Sequence, residues 1–246
     1  MLEVRDVRKT FGRFQALNDI NLKIEKGSFI GLIGPNGSGK TTFFNVLSGV
    51  YPASSGDIMF EGDNITKWTP DKICHAGIVR TFQIPRPIKD MSILENVMVG
   101  LLFGKDDVKI SDRNARKQAM EWLSFVGLDL DPETMPDKLT AGNLRRLELA
   151  RSLATRPQLL LADEIMSGLN PNEIEQTSEV LRKIRSELHI TIIWVEHIMG
   201  ALMNLVEYVV VLEHGEMIAQ GKPGEISKNP RVIEAYLGTE EEDEED

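Results

Sequence analysis

Lys40 and Thr41 follow a glycine-punctuated run, Gly34-Pro35-Asn36-Gly37-Ser38-Gly39, at the spacing of a polyphosphate-binding loop. Its chemistry is mostly backbone. Glycines enter conformations that turn successive N–H groups inward, which residues with a Cβ adopt only under strain. An anion gathered there would lie at the N-terminus of the next helix, where unsatisfied N–H groups and the helix dipole favour negative charge. Lys40 adds an ammonium for the β and γ phosphates, and Thr41 a hydroxyl for Mg²⁺. A second cluster is the carboxylate pair Asp163 and Glu164. The apolar residues Leu159, Leu160, Leu161 and Ala162 lead into Asp163. That places its carboxylate at the C-terminal end of a buried strand, where open α/β sheets bind ligands. Asp163 can share Mg²⁺ with Thr41. Glu164 has no basic neighbour in sequence and is placed to orient and deprotonate an attacking water.

These groups need rigid elements to hold them. Residues 29–33 read as a buried strand entering the loop, and Phe43, Phe44, Val46 and Leu47 give a helix leaving it. Before them, Leu2, Val4, Val7, Ala16, Leu17, Ile20, Leu22 and Ile24 mark strands, mostly by alternation. Residues 57–61 form another strand between Gly56 and Gly62. Strands on both sides of the loop helix predict an antiparallel β layer beside a parallel core. Residues 78–83 read as a short strand, stopped by Pro85 and Pro87, which mark a subdomain boundary. From 92 to 155 the pattern is helical. Ser92 and Glu95 form a capping box. Ala115, Ala119, Trp122, Leu123 and Val126 line a helix ending at Gly127, with Trp122 in the core. The parallel core resumes at 158–163. Asn170, Pro171 and Glu173 open a long helix. Strands follow at 190–195, 208–212 and 216–219, the last two around His214-Gly215, and a helix at 231–237. His75, His189 and His214 sit in no motif and read as structural or surface residues.

The chain has 246 residues, 41% hydrophobic and 27% charged, enough for a substantial core. Net charge is −10, but the seven residues from Glu240 to Asp246 are all acidic and leave the rest at −3. Nothing in that balance favours nucleic acid. Residues 239–246 read as a disordered acidic tail. The single cysteine, Cys74, excludes an internal disulfide and fits a reducing compartment. The first residues carry no signal-peptide core, and the longest weakly charged run, 91–103, is too short to span a bilayer. The chain is expected to be soluble or peripheral, so a role at a membrane needs another chain to cross it.

Leu139-Thr140-Ala141-Gly142-Asn143 precedes a basic, Leu/Ala-rich helix, Leu144-Arg145-Arg146-Leu147-Glu148-Leu149-Ala150-Arg151. This resembles the signature of ABC-type ATPases, usually Leu-Ser-Gly-Gly-Gln, and stands where that family has it, between the phosphate loop and the Asp163-Glu164 strand. It departs at Thr140, Ala141 and Asn143. Thr140 keeps a hydroxyl and Gly142 its N–H, the groups the family aims at the γ-phosphate. The resemblance spans 2–238. It implies an α/β P-loop NTPase of ABC type, a RecA-like core with an antiparallel β subdomain and an inserted helical subdomain at 84–155, all one domain at 1–238. ATP and Mg²⁺ are the implied cofactors. Gly34, Pro35, Asn36, Gly37, Ser38, Gly39, Lys40, Thr41 and Thr42 would hold the phosphates, and Phe11 would stack on adenine, with Phe14 the alternative. Thr140, Gly142 and Asn143 would act in trans on a partner's nucleotide. Glu164, His197 and Gln83 form the catalytic set, and Thr41, Gln83 and Asp163 the metal set. Ser167-Gly168-Leu169-Asn170 matches the loop linking opposed sites, where Asn170 stands for a common Asp and otherwise only caps its helix. Ile165 replaces a proline that commonly follows the catalytic Glu.

Within the family, residues 77–83, 168–171 and 232–238 look like the ATP-binding subunit of branched-chain amino-acid importers. That branch implies a second ABC ATPase subunit, identical or related, and membrane permease subunits with a substrate-binding protein. It implies a cytoplasmic location on the inner face of the membrane. The run Met91, Ile93, Leu94, Val97, Met98 and Val99 either packs the helical subdomain's own core or, with Gln83 and the two prolines, offers a groove to a permease helix. A soluble or export-linked ABC ATPase, serving iron–sulfur-cluster assembly or lipopolysaccharide transport, is the alternative of similar size.

Overall fold

The structure, a computed structural model, describes residues 1–104 and 110–237. The expected acidic tail lies outside the described residues. In chain order the elements begin with β1 (Leu2–Phe11), β2 (Phe14–Ile24), β3 (Phe29–Ile33), α1 (Lys40–Leu47), β4 (Ser55–Phe60) and β5 (Asp63–Asn64). Next come α2 (Pro70–Ala76), β6 (Ile78–Arg80), α3 (Ile93–Leu102), α4 (Asp112–Phe125), a 3₁₀ turn (Pro136–Lys138), α5 (Ala141–Ala154), β7 (Leu159–Asp163) and α6 (Pro171–Leu188). The chain continues with β8 (Thr191–Val195), α7 (Met199–Leu205), β9 (Tyr208–Glu213), β10 (Glu216–Gly221), α8 (Pro223–Ile226) and α9 (Pro230–Leu237). Two compact units divide it: Met1–Pro70 with Ile193–Asp246, and Asp71–Ile192. Among the described residues no helix is long and apolar enough to cross a membrane.

The first unit holds an antiparallel sheet of order β2-β1-β4-β5. Inward residues of β1 change from even positions, Leu2 and Val4, to odd ones, Val7 and Lys9. The change falls at Asp6, whose φ of 48° makes a bulge. Gly56 of β4 lies against it; a Cβ there would meet the Asp6 carbonyl oxygen at 2.4 Å. All five residues of β3 are buried, so no alternation shows in its sequence. It pairs parallel with β9, Ile30 opposite Tyr208 and Ile33 opposite Val211. β9 returns as β10 through His214 and Gly215, both at positive φ (47° and 80°), as a tight hairpin turn requires. α7 packs on β3 so closely that a Cβ on Gly31 would lie 2.7 Å from Leu202 Cδ2. Its seven residues bury only Leu202 and Leu205, too few for a periodic signal.

In the second unit β6 pairs parallel with β7. β6 is shorter than the 78–83 strand expected from sequence. The Thr81 N–H still reaches the Leu161 carbonyl at 3.0 Å. Beyond it, the Phe82 backbone bonds to side chains of α5 instead of a strand. α3, α4 and α5 pack on one another, burying Ile93, Leu94 and Val97, Ala115, Ala119 and Leu123, and Leu147, Ala150 and Leu153. Met91, Met98 and Val99 stay half-exposed. The Ser92–Glu95 capping box forms, and α6 opens with its own box from Asn170 and Glu173. Trp122 is half-buried, edge-on to Phe125, so the expectation that it is a core residue fails. On α4 the small residues Ala115 and Ala119 take the inward positions. α2 was not anticipated, because Ile73 is its one buried side chain. His189 ends α6 in the left-handed region (φ 53°), and His75 Nδ1 lies 2.7 Å from the Asp71 carbonyl, so both serve local structure.

Candidate active site

Two clusters carry the chemistry, one in each unit. In the first, β3 ends at Ile33 and the chain turns through Gly34, Gly37 and Gly39, with φ of 149°, 76° and 102°. Gly39 is the N-cap of α1 and has no side chain to cap it, and no acidic residue stands in the first turn. That helix end is therefore built to receive an anion. The Lys40 ammonium, 7% exposed, donates to the carbonyls of Gly34 (2.6 Å) and Pro35 (2.9 Å). It is drawn over the turn in reach of any phosphate bound there. The Thr41 hydroxyl is at the surface.

The loop is braced by residues that carry no motif. The Gly215 N–H donates to the Ser38 carbonyl at 3.0 Å, and the Asn18 N–H donates to the Gly215 carbonyl at 2.8 Å. A Cβ on Gly34 would come within 2.0 Å of the Leu212 carbonyl, and one on Gly215 within 2.6 Å of the Ala16 carbonyl. The β9–β10 turn and β2 thus fix the loop from behind through main-chain atoms. Burial pushes the Tyr236 hydroxyl on α9 up to about 12, opposed by a hydrogen bond from the Gly34 backbone. Of these, only the turn at His214-Gly215 was legible in the sequence, and its role was not.

In the second unit Asp163 ends β7 with 4% exposure, and Arg80 Nη2 donates to its Oδ2 at 2.6 Å. The Asp163 N–H donates to Thr81 Oγ1 at 3.1 Å, which ties the ends of β6 and β7 together. Glu164 takes the left-handed conformation, φ 46°, which turns it out of the strand. Its Oε2 accepts a 2.6 Å bond from Gln83 Nε2. Two residues singled out separately in the sequence thus meet, and the carboxylate expected to act as base is held by the Gln83 amide of the expected catalytic and metal sets. Ile165, where the family often has proline, is 1% exposed and anchors this turn by burial.

The signature opens α5. Thr140 is its N-cap, and its Oγ1 accepts from the Asn143 N–H at 3.3 Å, leaving the hydroxyl proton to donate outward. Gly142 lies against α6, where a Cβ would meet Glu173 Oε1 at 2.4 Å. Asn170 does cap its helix: its Oδ1 accepts from the Glu173 N–H at 3.1 Å. His197 follows β8 and is exposed. Phe11 is 41% exposed and edge-on to Tyr51, with centroids 5.2 Å apart, while Phe14 is 66% exposed, so both rings stand at the surface.

Residues 17–167 match the ABC transporter family, and residues 216–242 match the branched-chain amino acid ATP-binding cassette transporter family. The chain belongs to the ABC transporter family. A high-affinity branched-chain amino acid transport ATP-binding protein, BraF of Pseudomonas aeruginosa, is 39% identical, the match covering 97% of this chain and 98% of that one. Among solved structures, the ADP conformation of an ATP-binding cassette is similar at a TM-score of 0.85 and 30% identity, over 97% and 98% of the two chains. A dimeric cassette in a post-hydrolysis state, bound to ADP and Pi, is similar at 0.82 and 27%, over 91% and 99%. The fold is that of an ABC ATPase, and the chain is an ATP hydrolase of that type.

Proposed function

We propose that this chain powers an importer of branched-chain amino acids by closing on ATP with a second cassette and reopening after hydrolysis. The observation that carries this is the near-full-length similarity to a branched-chain transport ATP-binding protein, joined to the separate match at 216–242. We take residues 1–238 as one ABC ATPase domain with its helical subdomain at 84–155.

The proposed roles follow from the chemistry of each side chain. The loop from Gly34 to Thr42 binds the triphosphate through backbone N–H groups and the Lys40 ammonium, and Phe11 stacks on adenine. Mg²⁺, which neutralises phosphate charge, suits an all-oxygen set of the Thr41 hydroxyl, the Gln83 amide and the Asp163 carboxylate. Asp163 already carries the Arg80 guanidinium on one oxygen and keeps the other for a cation. Glu164, steadied by Gln83, takes the proton of the attacking water, and His197 contacts the γ-phosphate. Thr140, Gly142 and Asn143 reach the nucleotide of the partner cassette from the N-terminus of α5.

The membrane-crossing part belongs to permease subunits served by a substrate-binding protein. The chain itself rides on the inner face of the membrane. Ile84, 75% exposed beside Gln83, with the half-exposed Met91, Met98 and Val99, offers apolar anchors for a permease helix. Purification of the tagged chain from detergent-solubilised membranes tests the reading. A permease should co-purify, and recovery of the chain solely from the soluble fraction, without membrane partners, would favour an iron–sulfur or other soluble role.

A further inference from the structure

Gln83 is an exposed residue after the end of β6, followed by Ile84 and Pro85, so something other than the sheet must fix its position. The structure supplies it one residue earlier. The Phe82 N–H donates to Glu148 Oε1 at 3.2 Å, and the Phe82 carbonyl accepts from Arg145 Nη1 at 2.9 Å. Arg145 and Glu148 stand three apart on α5, on one face, and are 7% and 4% exposed. They grasp both polar groups of a single residue. The Phe82 ring is held too, with the Arg80 and Arg86 guanidinium carbons 5.4 and 5.0 Å from its centroid. Arg80 is the partner of Asp163. The residue immediately before Gln83 is therefore fastened to the helix that begins at Thr140, and it also touches the arginine on Asp163.

A buried carboxyl and guanidinium are costly to keep unless hydrogen bonds offset their lost hydration. Here the bonds go to main-chain groups that would otherwise join a strand. That choice releases Gln83 from the ladder and leaves it free to face Glu164.

We propose that Arg145 and Glu148 are positioning residues for hydrolysis, setting through Phe82 where Gln83 holds the Glu164 carboxylate. Neither touches the reacting atoms. A displacement of α5 is transmitted to Gln83 through two side-chain bonds, so the start of the signature helix and the base report to each other inside one unit. This rests on the reading of Glu164 as the base.

The test uses the full-length chain with Glu148→Ala, Glu148→Gln, Arg145→Ala and Glu164→Gln. Glutamine keeps an acceptor for the Phe82 N–H, and alanine does not. Losing one such bond lowers kcat by about tenfold in the alanine variants, with KM for ATP changed less than about twofold. Glu148→Gln restores most of kcat. Hydrogen exchange of the peptide spanning Phe82 and Gln83 speeds up in the alanine variants and returns towards normal in Glu148→Gln. Should Glu148→Ala fail to fold, Arg145→Ala and Glu148→Gln carry the same comparison. Folded alanine variants with unchanged kcat, equal losses in Glu148→Ala and Glu148→Gln, or lost kcat with unchanged exchange at 82–83 would each overturn the proposal. Full activity in Glu164→Gln would instead remove the reading it rests on.

Discussion

The phosphate loop and the Gln83–Glu164 cluster solve positioning in opposite ways. The loop is one contiguous stretch whose working groups are main-chain N–H donors, braced by main-chain atoms of Leu212, Gly215 and Ala16. The cluster is assembled from β6, β7, α5 and the segment after β6, and its working groups are side chains held by other side chains. The loop resists change at Gly34 and Gly39, where a Cβ would meet the Leu212 and Ala16 carbonyl oxygens at 2.0 and 2.8 Å. The cluster resists change at its polar pairs, Arg80 with Asp163, Gln83 with Glu164, and Arg145 and Glu148 with the Phe82 backbone. Affinity is thus expected to depend on the first and turnover on the second.

Glu164→Gln separates them most sharply. The amide fits the same turn but cannot take a proton, so hydrolysis falls by about 10²–10⁴ while ATP binding by titration calorimetry is kept. Lys40→Ala does the reverse at binding. Loss of a charge-assisted bond to phosphate weakens ATP affinity by about 10- to 100-fold, and unchanged affinity would contradict the role given to the loop. A pH effect follows from the cluster's buried carboxyl. Burial pushes Glu148 from an ordinary value near 4.5 up to about 7, against the Phe82 and Arg86 backbone N–H groups and the charges of Arg151 and Arg145. Between those values the folded chain holds a proton the unfolded chain has released. Stability is therefore greatest below the lower value and falls as pH rises through 7, by at most about 3 kcal/mol. Denaturant midpoints at pH 5 and pH 8 should differ less in Glu148→Gln than in the parent chain. The smallest effect tests whether the cluster has a glycine of the loop's kind. Gly142→Ala displaces Glu173 from its cap on Asn170 and costs about 1 kcal/mol in thermal or denaturant unfolding.

What was legible in the sequence follows the same division. The loop could be read because its chemistry is local: glycine spacing, a buried strand before and a helix after. Asp163, Glu164 and the signature could be read as strand and helix ends. The bracing of the loop by Gly215 could not, because it joins residues far apart in the chain through main-chain bonds that any sequence could make. Arg145 and Glu148 read only as members of the basic, Leu/Ala-rich signature helix, since nothing in their spacing says that the backbone of Phe82 lies between them. The strand at 78–83 was read too long for the same reason, the backbone of Phe82 being taken off the ladder by Arg145 and Glu148 of α5. Trp122 was assigned to the core by type alone, whereas packing gave the inward positions of α4 to Ala115, Ala119 and Leu123. α2 and α7 each bury one or two side chains, below what periodicity can register.

The most direct measurement is the ATPase rate of the purified permease complex containing this chain, with a panel of amino acids presented by its binding protein. Leucine, isoleucine and valine should raise the rate in the parent complex and leave it at background in the Glu164→Gln complex. Stimulation by none of the three, or equal stimulation in the Glu164→Gln complex, would contradict a branched-chain importer driven by hydrolysis at this residue.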